Sequence, residues 1–543
     1  MPDPPLPTPW PLRDAEHLLV SSAQMAALEA QLFQSGLPVE ALMEKAALAM
    51  SRRLMGRYGP RNAAVVMVGP GHNGGDGLVV ARELHLAGWT VQIWSPFERH
   101  KPLCEAHLRH ARWLGIPRLD HPPEPAHPSL WIDALFGIGQ SRPPGEELEA
   151  LFQDRHRQRP ERLVALDVPT GLCAESGRCL GQAAAKAERT LCLGLLKQGL
   201  VQDAALTWVG ELERIDLGLP QPLLAPLPWQ QPLRLTPADL RSAPWPTLPT
   251  AMAKYGRGRV LVVAGSRSYP GAAHLALAGA SASGCGSLRA LLPPELSSLI
   301  WTLLPHVVPE APPGTTSNQT LAGLTVAMLE RLDAVLVGPG LGPEEAMGER
   351  IDTRAGWQAL QEFRGLLVLD ADGLNQLART GEAANWLKDR NGPSWLTPHP
   401  EELARLFPDL VGETALNAAS AAASRSGAAV VLKGARSVIA SPDGRRWQIG
   451  KANAAVARAG LGDVLAGYVA GRGAMAMAAL QGTAVGGDAQ WLAVSALAHA
   501  HAGFAGGTPL NVANTLANGC APEQPRNPHT PGAGRNDLTR FPE

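Results

Sequence analysis

The sequence predicts an α/β protein of two domains, each a parallel sheet wrapped by helices. Short apolar runs such as Ala63–Val68 and Ala429–Leu432 alternate with helically spaced segments, the pattern of parallel strands joined by crossover helices. Two such series occur, and the stretch 220–250 between them carries a proline every few positions without periodicity, as a semi-rigid spacer does. At 543 residues the chain is also too long for one ordinary core.

Residues 1–20 are proline-rich and read as an irregular N-terminus. Helical spacing follows over Ser22–Tyr58, where Met25, Leu28 and Leu32, then Leu42, Met43, Ala46, Ala47 and Met50, recur three and four apart. The first strand, Ala63–Val68, runs into the glycine turn Gly69–Gly77 and a helix. Further strands are expected at Thr90–Trp94, Leu130–Ala134 and Leu163–Asp167, completing a first domain over 21–219. The second domain, 251–510, has strands at Arg259–Ala264, Ser287–Leu292, Ala334–Val337, Leu366–Leu369, Ser394–Leu396 and Ala429–Leu432. Residues 511–543 read as a disordered tail.

A formal charge of −1 offers no electrostatic reason to expect nucleic acid or an anionic membrane as partner. The six cysteines lack metal-ligand spacing; Cys173 and Cys179 are near enough in sequence to pair, but a reduced chain is expected. The opening MPDPPLPTPW has neither the basic start nor the apolar core of a signal peptide. The Ala-rich stretch Gly473–Gly507 is interrupted by Gln, Gly, Asp and His before it reaches spanning length. A soluble, cytoplasmic protein is therefore expected, with no membrane partner and with homo-oligomerisation left open.

In such sheets ligands sit beyond the carboxyl ends of the strands, where Asn73, Asp76, Asp133 and Asp167 fall. Converging oxygen ligands suit a hard cation or acid–base work, although each Asp taken alone is also a turn cap. GPGHNG matches G-x-G-x-x-G after a strand, with Glu98 where a ribose-binding acid would stand. A dinucleotide-binding oxidoreductase is thus a competitor, but the extra polar groups at the turn exceed what that fingerprint needs.

GPGHNGGDG, DALFGIGQSR, LDVPTGL and ERTLCLGLLKQGL, in that order, resemble the motifs of the YjeF N-terminal family, the NAD(P)H-hydrate epimerases. The resemblance implies a Rossmann-like three-layer α/β/α domain that interconverts the R and S hydrates at C6 of the reduced nicotinamide ring. It implies a potassium ion held by Asn73, Asp133 and Thr170. Substrate contacts would come from His72, Asn73, Gly74, Gly75 and Asp76, from the loop Gly137, Ile138, Gly139, Gln140, Ser141, Arg142 and Pro143, and from Asp167. Asp167 is the candidate acid–base. His72 departs from the family, which usually has asparagine there.

In the second half, Asn453–Gly467 reads as a glycine-loosened turn running into a helix with an apolar face of Val464, Leu465, Tyr468 and Val469. The free amides of a helix start form an anion hole that glycines let a phosphate approach. Asp463 at its edge either caps the helix or takes a proton from a group attacking the phosphate. Lys433 and the glycine after it, leaving a strand, can hold a nucleotide phosphate.

KYGRGRVLVVAGSRSYPGA, VGPGLG, DADGLN, TPHPEE, LKGARS and AGLGDVLAG resemble the YjeF C-terminal family, the ADP-dependent NAD(P)H-hydrate dehydratases of ribokinase-like fold. The resemblance implies that Asp463 deprotonates the hydrate hydroxyl, which attacks ADP and releases AMP. Ala272, Gly340, Gly342, His399 and Asp463 would face the hydrated ring; Lys433, Gly434, Ala435, Arg436, Ser437 and Gly462 would bind the nucleotide. Magnesium would enter with ADP, and Asp370 and Asp372 either orient it or cap their turn. Departures from the family pattern are Glu401, Arg436, Ala455, Val456 and Arg458.

The combined expectation is a bifunctional repair enzyme, isomerase then lyase, acting on NADHX and NADPHX with ADP. Its competitors are a ribokinase-like small-molecule kinase carrying a non-catalytic nucleotide-binding module, and a non-enzymatic scaffold.

Overall fold

The computed structural model describes residues 10–245, 252–310, 320–342, 345–346, 349–350, 352–480 and 487–519. The first sheet has seven strands, in the order Arg118–Leu119, Thr90–Trp94, Ala63–Val68, Leu130–Ala134, Leu163–Leu166, Arg189–Leu193 and Glu211–Ile215. All are parallel. Alternation along the strands separates two apolar layers. Val66, Val68, Ile132 and Leu166 meet the helices Val39–Tyr58 and His72–Leu86 on one face. Val65, Met67 and Trp131 meet Leu148 and Phe152 of Glu146–Gln158 on the other. Strand order reverses between Ala63–Val68 and Leu130–Ala134, which opens a crevice at their carboxyl ends.

The second sheet has ten strands: Leu233–Leu235, Arg446–Ile449, Val438–Ala440, Ala429–Leu432, Ser394–Leu396, Leu366–Leu369, Ala334–Val337, Arg259–Val263, Ser287–Leu291 and Val308–Glu310. Only Val438–Ala440 runs against both of its neighbours. The helix Leu461–Ala479 lies across one face, burying Leu465, Ala466, Val469 and Ala470 against Leu336, Leu366 and Val368. This order too reverses, between Arg259–Val263 and Ala334–Val337.

Four expectations need correction. Residues 10–20 are ordered: Leu19–Val20 pairs with Leu196–Lys197, and Trp10 is buried with its Nε1–H donated to the Asp239 carbonyl. Of the segment read as a spacer at 220–250, residues 220–245 are part of the core, since Leu233–Leu235 is an edge strand of the second sheet and Leu224, Leu233 and Leu235 are buried. The tail read from 511 begins as a helix, Pro509–Ala517, packing Val512, Ala513 and Leu516 against Leu461, Val464 and Tyr468. Finally, the helical stretch Ser22–Tyr58 is two helices, Ser22–Gln34 and Val39–Tyr58. In the first three cases buried apolar contacts outweigh a proline-rich or polar composition; in the fourth, Gly36 at φ +97 and Pro38 break the helix. Residues 1–9, 246–250 and 520–543 lie outside the described residues.

Cys173 and Cys179 are unpaired. Among the described residues no helix is long and apolar enough to cross a membrane.

Candidate functional site

At the N-terminal crevice a cavity of about 410 Å³ is lined by the turn Pro70–Asn73, Asp76, Leu135–Gln140 and Asp167. Asp167 follows the strand Leu163–Leu166 with φ +66, a left-handed conformation that a non-glycine residue holds only against strain. Its Oδ1 accepts from Lys197 Nζ at 2.7 Å and from the Leu193 amide at 3.2 Å. Its Oδ2 faces Gly137, where a Cβ would stand only 3.1 Å away. Burial opposes the Lys197 charge, but Asp167, together with Cys192 and Glu29, outweighs it and raises the ammonium pKa.

Asp133 is fully buried at its strand end, and burial pushes its pKa up to about 6. Thr170 offsets part of that push, donating its amide and its hydroxyl to the two Asp133 oxygens, both at 2.8 Å. Asn73 has both side-chain amide atoms buried without a hydrogen-bond partner. Such an orphan costs free energy unless a ligand meets it. Burial raises Asp76 well above the usual carboxylate range, with Asp167 and Glu29 adding repulsion.

Not every expected contact faces the cavity. Gly74 lies against the Gly69 carbonyl and Gly75 against Met43. Ser141, Arg142 and Pro143 stand outside the cavity walls. Gln140 acts as a clamp: its Nε2 donates to the carbonyls of Gly137 and Pro169, and its Oε1 accepts the Gly171 amide at 2.6 Å. His72 is exposed at the helix start, its pKa lowered by burial of the ring and by Lys101. Glu29, on Ser22–Gln34, lines the cavity and escaped sequence reading because a glutamate on an amphipathic helix looks like any solvated residue. Lys197, inside a quoted motif, also gained its role only from the fold.

In the second half, Asp463 lies in the first turn of Leu461–Ala479, after Gly460 in the left-handed region. Burial, then Asp370, push its pKa up to about 7, while Lys433 pulls it down. A Cβ on Gly462 would lie 3.7 Å from Lys433 Nζ, so the helix start and this ammonium face one another. Lys433 Nζ donates to Asp370 Oδ1 at 2.8 Å and pairs with Glu402 Oε2 at 3.5 Å. Asp370 also accepts from the Thr397 hydroxyl, and Asp372 Oδ2 accepts the Gly342 amide. Neither caps its helix through the side chain.

Gly340 abuts Ala272 and Tyr269, bringing two expected ring contacts together. His399 has a structural engagement: its Nδ1 accepts the amides of Glu401 and Glu402, capping Pro400–Leu406. Glu402, missing from the sequence-based site, answers both His399 and Lys433. The Arg436 guanidinium points away from the Lys433–Asp463 group, donating instead to the Leu200 carbonyl of the N-terminal half. Arg458 likewise turns to the Gly503 carbonyl at the end of Ala489–Phe504.

The same halves appear in comparison with known proteins. A family described as NAD(P)H-hydrate dehydratase matches residues 260–516, and one described as YjeF-related protein N-terminus matches residues 39–199. The bifunctional NAD(P)H-hydrate repair enzyme Nnr of Gloeobacter violaceus is 44% identical over 83% of this chain and 88% of its own length. The chain belongs to the bifunctional NAD(P)H-hydrate repair enzyme family. Further members are the Nnr proteins of Synechocystis sp., 40% identical over 83% of this chain and 85% of that one, and of Escherichia coli, 32% identical over 80% of each. A crystal structure of the ADP/ATP-dependent NAD(P)H-hydrate dehydratase from Bacillus subtilis is similar to the C-terminal half. It is 25% identical, covering 52% of this chain and 95% of that one, with a TM-score of 0.41. This chain carries Asp133 and Asp167 at strand ends of the first sheet, Asp370 after a strand of the second, and Asp463 in the first turn of the helix Leu461–Ala479.

Proposed function

We infer that this chain repairs hydrated nicotinamide nucleotides in two steps, epimerising the R and S forms and dehydrating the S form to NAD(P)H at the expense of ADP. We place the epimerase in 21–219 and the dehydratase from residue 220 onward, since Leu233–Leu235 belongs to the second sheet. The observation that carries the reading is Asp463: a carboxyl pushed up to about 7, at a helix start facing an ammonium. A base of that strength is suited to a hydroxyl at neutral pH.

In the epimerase, Asp167 serves C6. Lys197 and the Leu193 amide hold Oδ1, leaving Oδ2 toward Gly137 and the cavity. As acid, Asp167 protonates the departing hydroxyl, and the C6–O bond breaks to leave a ring cation. As base, it accepts a proton from the water that re-adds to either face. Loop Gly137–Gln140, clamped by the Gln140 side chain, positions the ring. The residues fit potassium: Thr170 keeps a lone pair beside Asp133, and the orphaned Asn73 carbonyl lacks a partner. Asn73, Asp133 and Thr170 would hold the ion, which when bound would supply positive charge to an anionic nucleotide.

In the dehydratase, Asp463 takes the proton of the C6 hydroxyl, whose oxygen attacks the terminal phosphoryl of ADP; AMP leaves. Loss of phosphate from C6 and of a proton from C5 then restores the double bond. The free amides at Gly462 and beyond hold the transferring group, and Lys433 neutralises it. Asp372 is the carboxylate suited to magnesium that arrives with the nucleotide, which commonly takes one or two carboxylates plus phosphates. A cytoplasmic setting, where pyridine nucleotides and ADP meet, belongs to this reading.

The test is incubation of the full chain with mixed hydrate epimers and ADP. Complete recovery of reduced-nicotinamide absorbance with stoichiometric AMP is expected. Recovery stopping at the S fraction would sink the epimerase assignment, and a stable phosphorylated product would favour the kinase.

A further inference from the structure

One contact between the halves falls on the nucleotide loop itself. Asp203, at the start of a single 3-10 turn in the N-terminal half, accepts the Ala435 amide on Oδ2 and the Arg436 amide on Oδ1, both at 2.8 Å. Successive backbone N–H groups of this kind make an anion cradle, and a carboxylate fills it as a phosphate would. The approach depends on Gly434, since a Cβ there would stand 2.5 Å from Asp203 Oδ2.

The segment that carries Asp203 is fastened to this loop and to the strand Arg446–Ile449. Arg436 Nη1 donates to the Leu200 carbonyl at 3.0 Å. Gln448 Nε2 donates to the Val201 carbonyl at 2.7 Å, and Gln202 Nε2 to Gln448 Oε1 at 2.9 Å. Asp203 and Ala435 are nonetheless exposed, so a ligand reaches the cradle from solvent without unpacking the core.

Two amides cannot serve two anions, and a carboxylate beside a phosphate is repulsive. We propose that Asp203 is an affinity-determining residue of the C-terminal nucleotide site, supplied by the N-terminal half. Its carboxylate holds the 435–436 amides as a stand-in for a nucleotide oxygen, and ADP binds there by displacing it. The proposal rests on the reading that Lys433–Ser437 takes the nucleotide. It assigns the Arg436 departure from the family a role: its side chain anchors the segment that delivers the competitor.

The experiment is ADP binding to the full chain by titration calorimetry, with steady-state dehydration alongside. Asp203→Asn and Asp203→Ala are expected to tighten ADP about five- to tenfold, a coupling of ordinary size. The KM for ADP should fall without a matching rise in kcat, and Asp203→Glu should restore weaker binding. Unchanged or weaker ADP binding in both Asp203→Asn and Asp203→Ala would overturn the proposal, marking Asp203 as a mere buttress of the loop. Lys433→Ala separates the two levels. If it weakens ADP while the Asp203 variants do not tighten it, the competition alone fails; if it leaves ADP binding unchanged, the nucleotide assignment of the loop falls, and the proposal with it.

Discussion

At the residue scale, both proposed chemistries rest on carboxylates held by named neighbours. Asp463 must lose its proton to act, and its pKa is pushed up to about 7. Dehydration should therefore rise with pH through about 7, the ionised fraction growing as the solution passes that value, and kcat–pH profiles check this. Because Lys433 pulls the Asp463 pKa down, Lys433→Met should move the acidic limb upward; a downward move would contradict the arrangement. Asp463→Asn should lower dehydration about 10²- to 10⁴-fold, the usual contribution of a positioned base, while epimerisation continues. Asp167 depends on a buried partner in another way. Lys197→Met leaves its carboxylate unpaired and should cost about 3 to 5 kcal/mol of stability, read by urea denaturation, together with epimerase activity.

At the scale of elements, each site is built from loops at the carboxyl ends of parallel strands in a sheet whose strand order reverses. The loop Gly137–Pro143 has few apolar anchors of its own; Gln140 closes it on the Gly137 carbonyl with one hydrogen bond and ties it to the turn Pro169–Gly171 with two more. Gln140→Ala should loosen that loop and slow epimerisation about 10- to 100-fold, since small misplacements at a reacting centre are expensive. An unaltered rate would mean that the loop is held by something else. Several of the strands were legible in the sequence because they are uninterrupted apolar runs ending in polar turns; Ala63–Val68, Ala334–Val337 and Leu366–Leu369 coincide with the expectation. The strands Glu211–Ile215, Leu233–Leu235 and Arg446–Ile449 were not legible. They are short, half polar or proline-flanked, and only pairing with a neighbour makes them strands.

At the scale of the whole molecule, the two halves share one continuous apolar cluster. Leu18, Val20, Leu195 and Leu219 of the first half join Leu233, Trp447, Ile449 and the helix Leu461–Ala479 of the second in it. Leu233→Asp would bury a charge within that shared core and should lower stability by about 3 kcal/mol or more. Thermal denaturation followed by both activities should show the two lost together at a lower temperature. Independent losses, with only one shifted, would mean that the halves fold separately.

The amino-acid sequence alone determined the two α/β halves and their order, and it named Asn73, Asp133, Asp167, Lys433 and Asp463 as candidates. Local pattern encodes these, since apolar runs, glycine turns and polar strand ends are short-range features. Only the tertiary structure decided that Lys197 and Glu402 belong to the sites, that Gln140 and His399 are structural clamps, and that residues 220–245 form core and edge strand. It alone brought Asp203 to the amides of Ala435 and Arg436, 232 and 233 residues away. Such pairings depend on which surfaces meet when the sheets close, and no spacing along the chain records them.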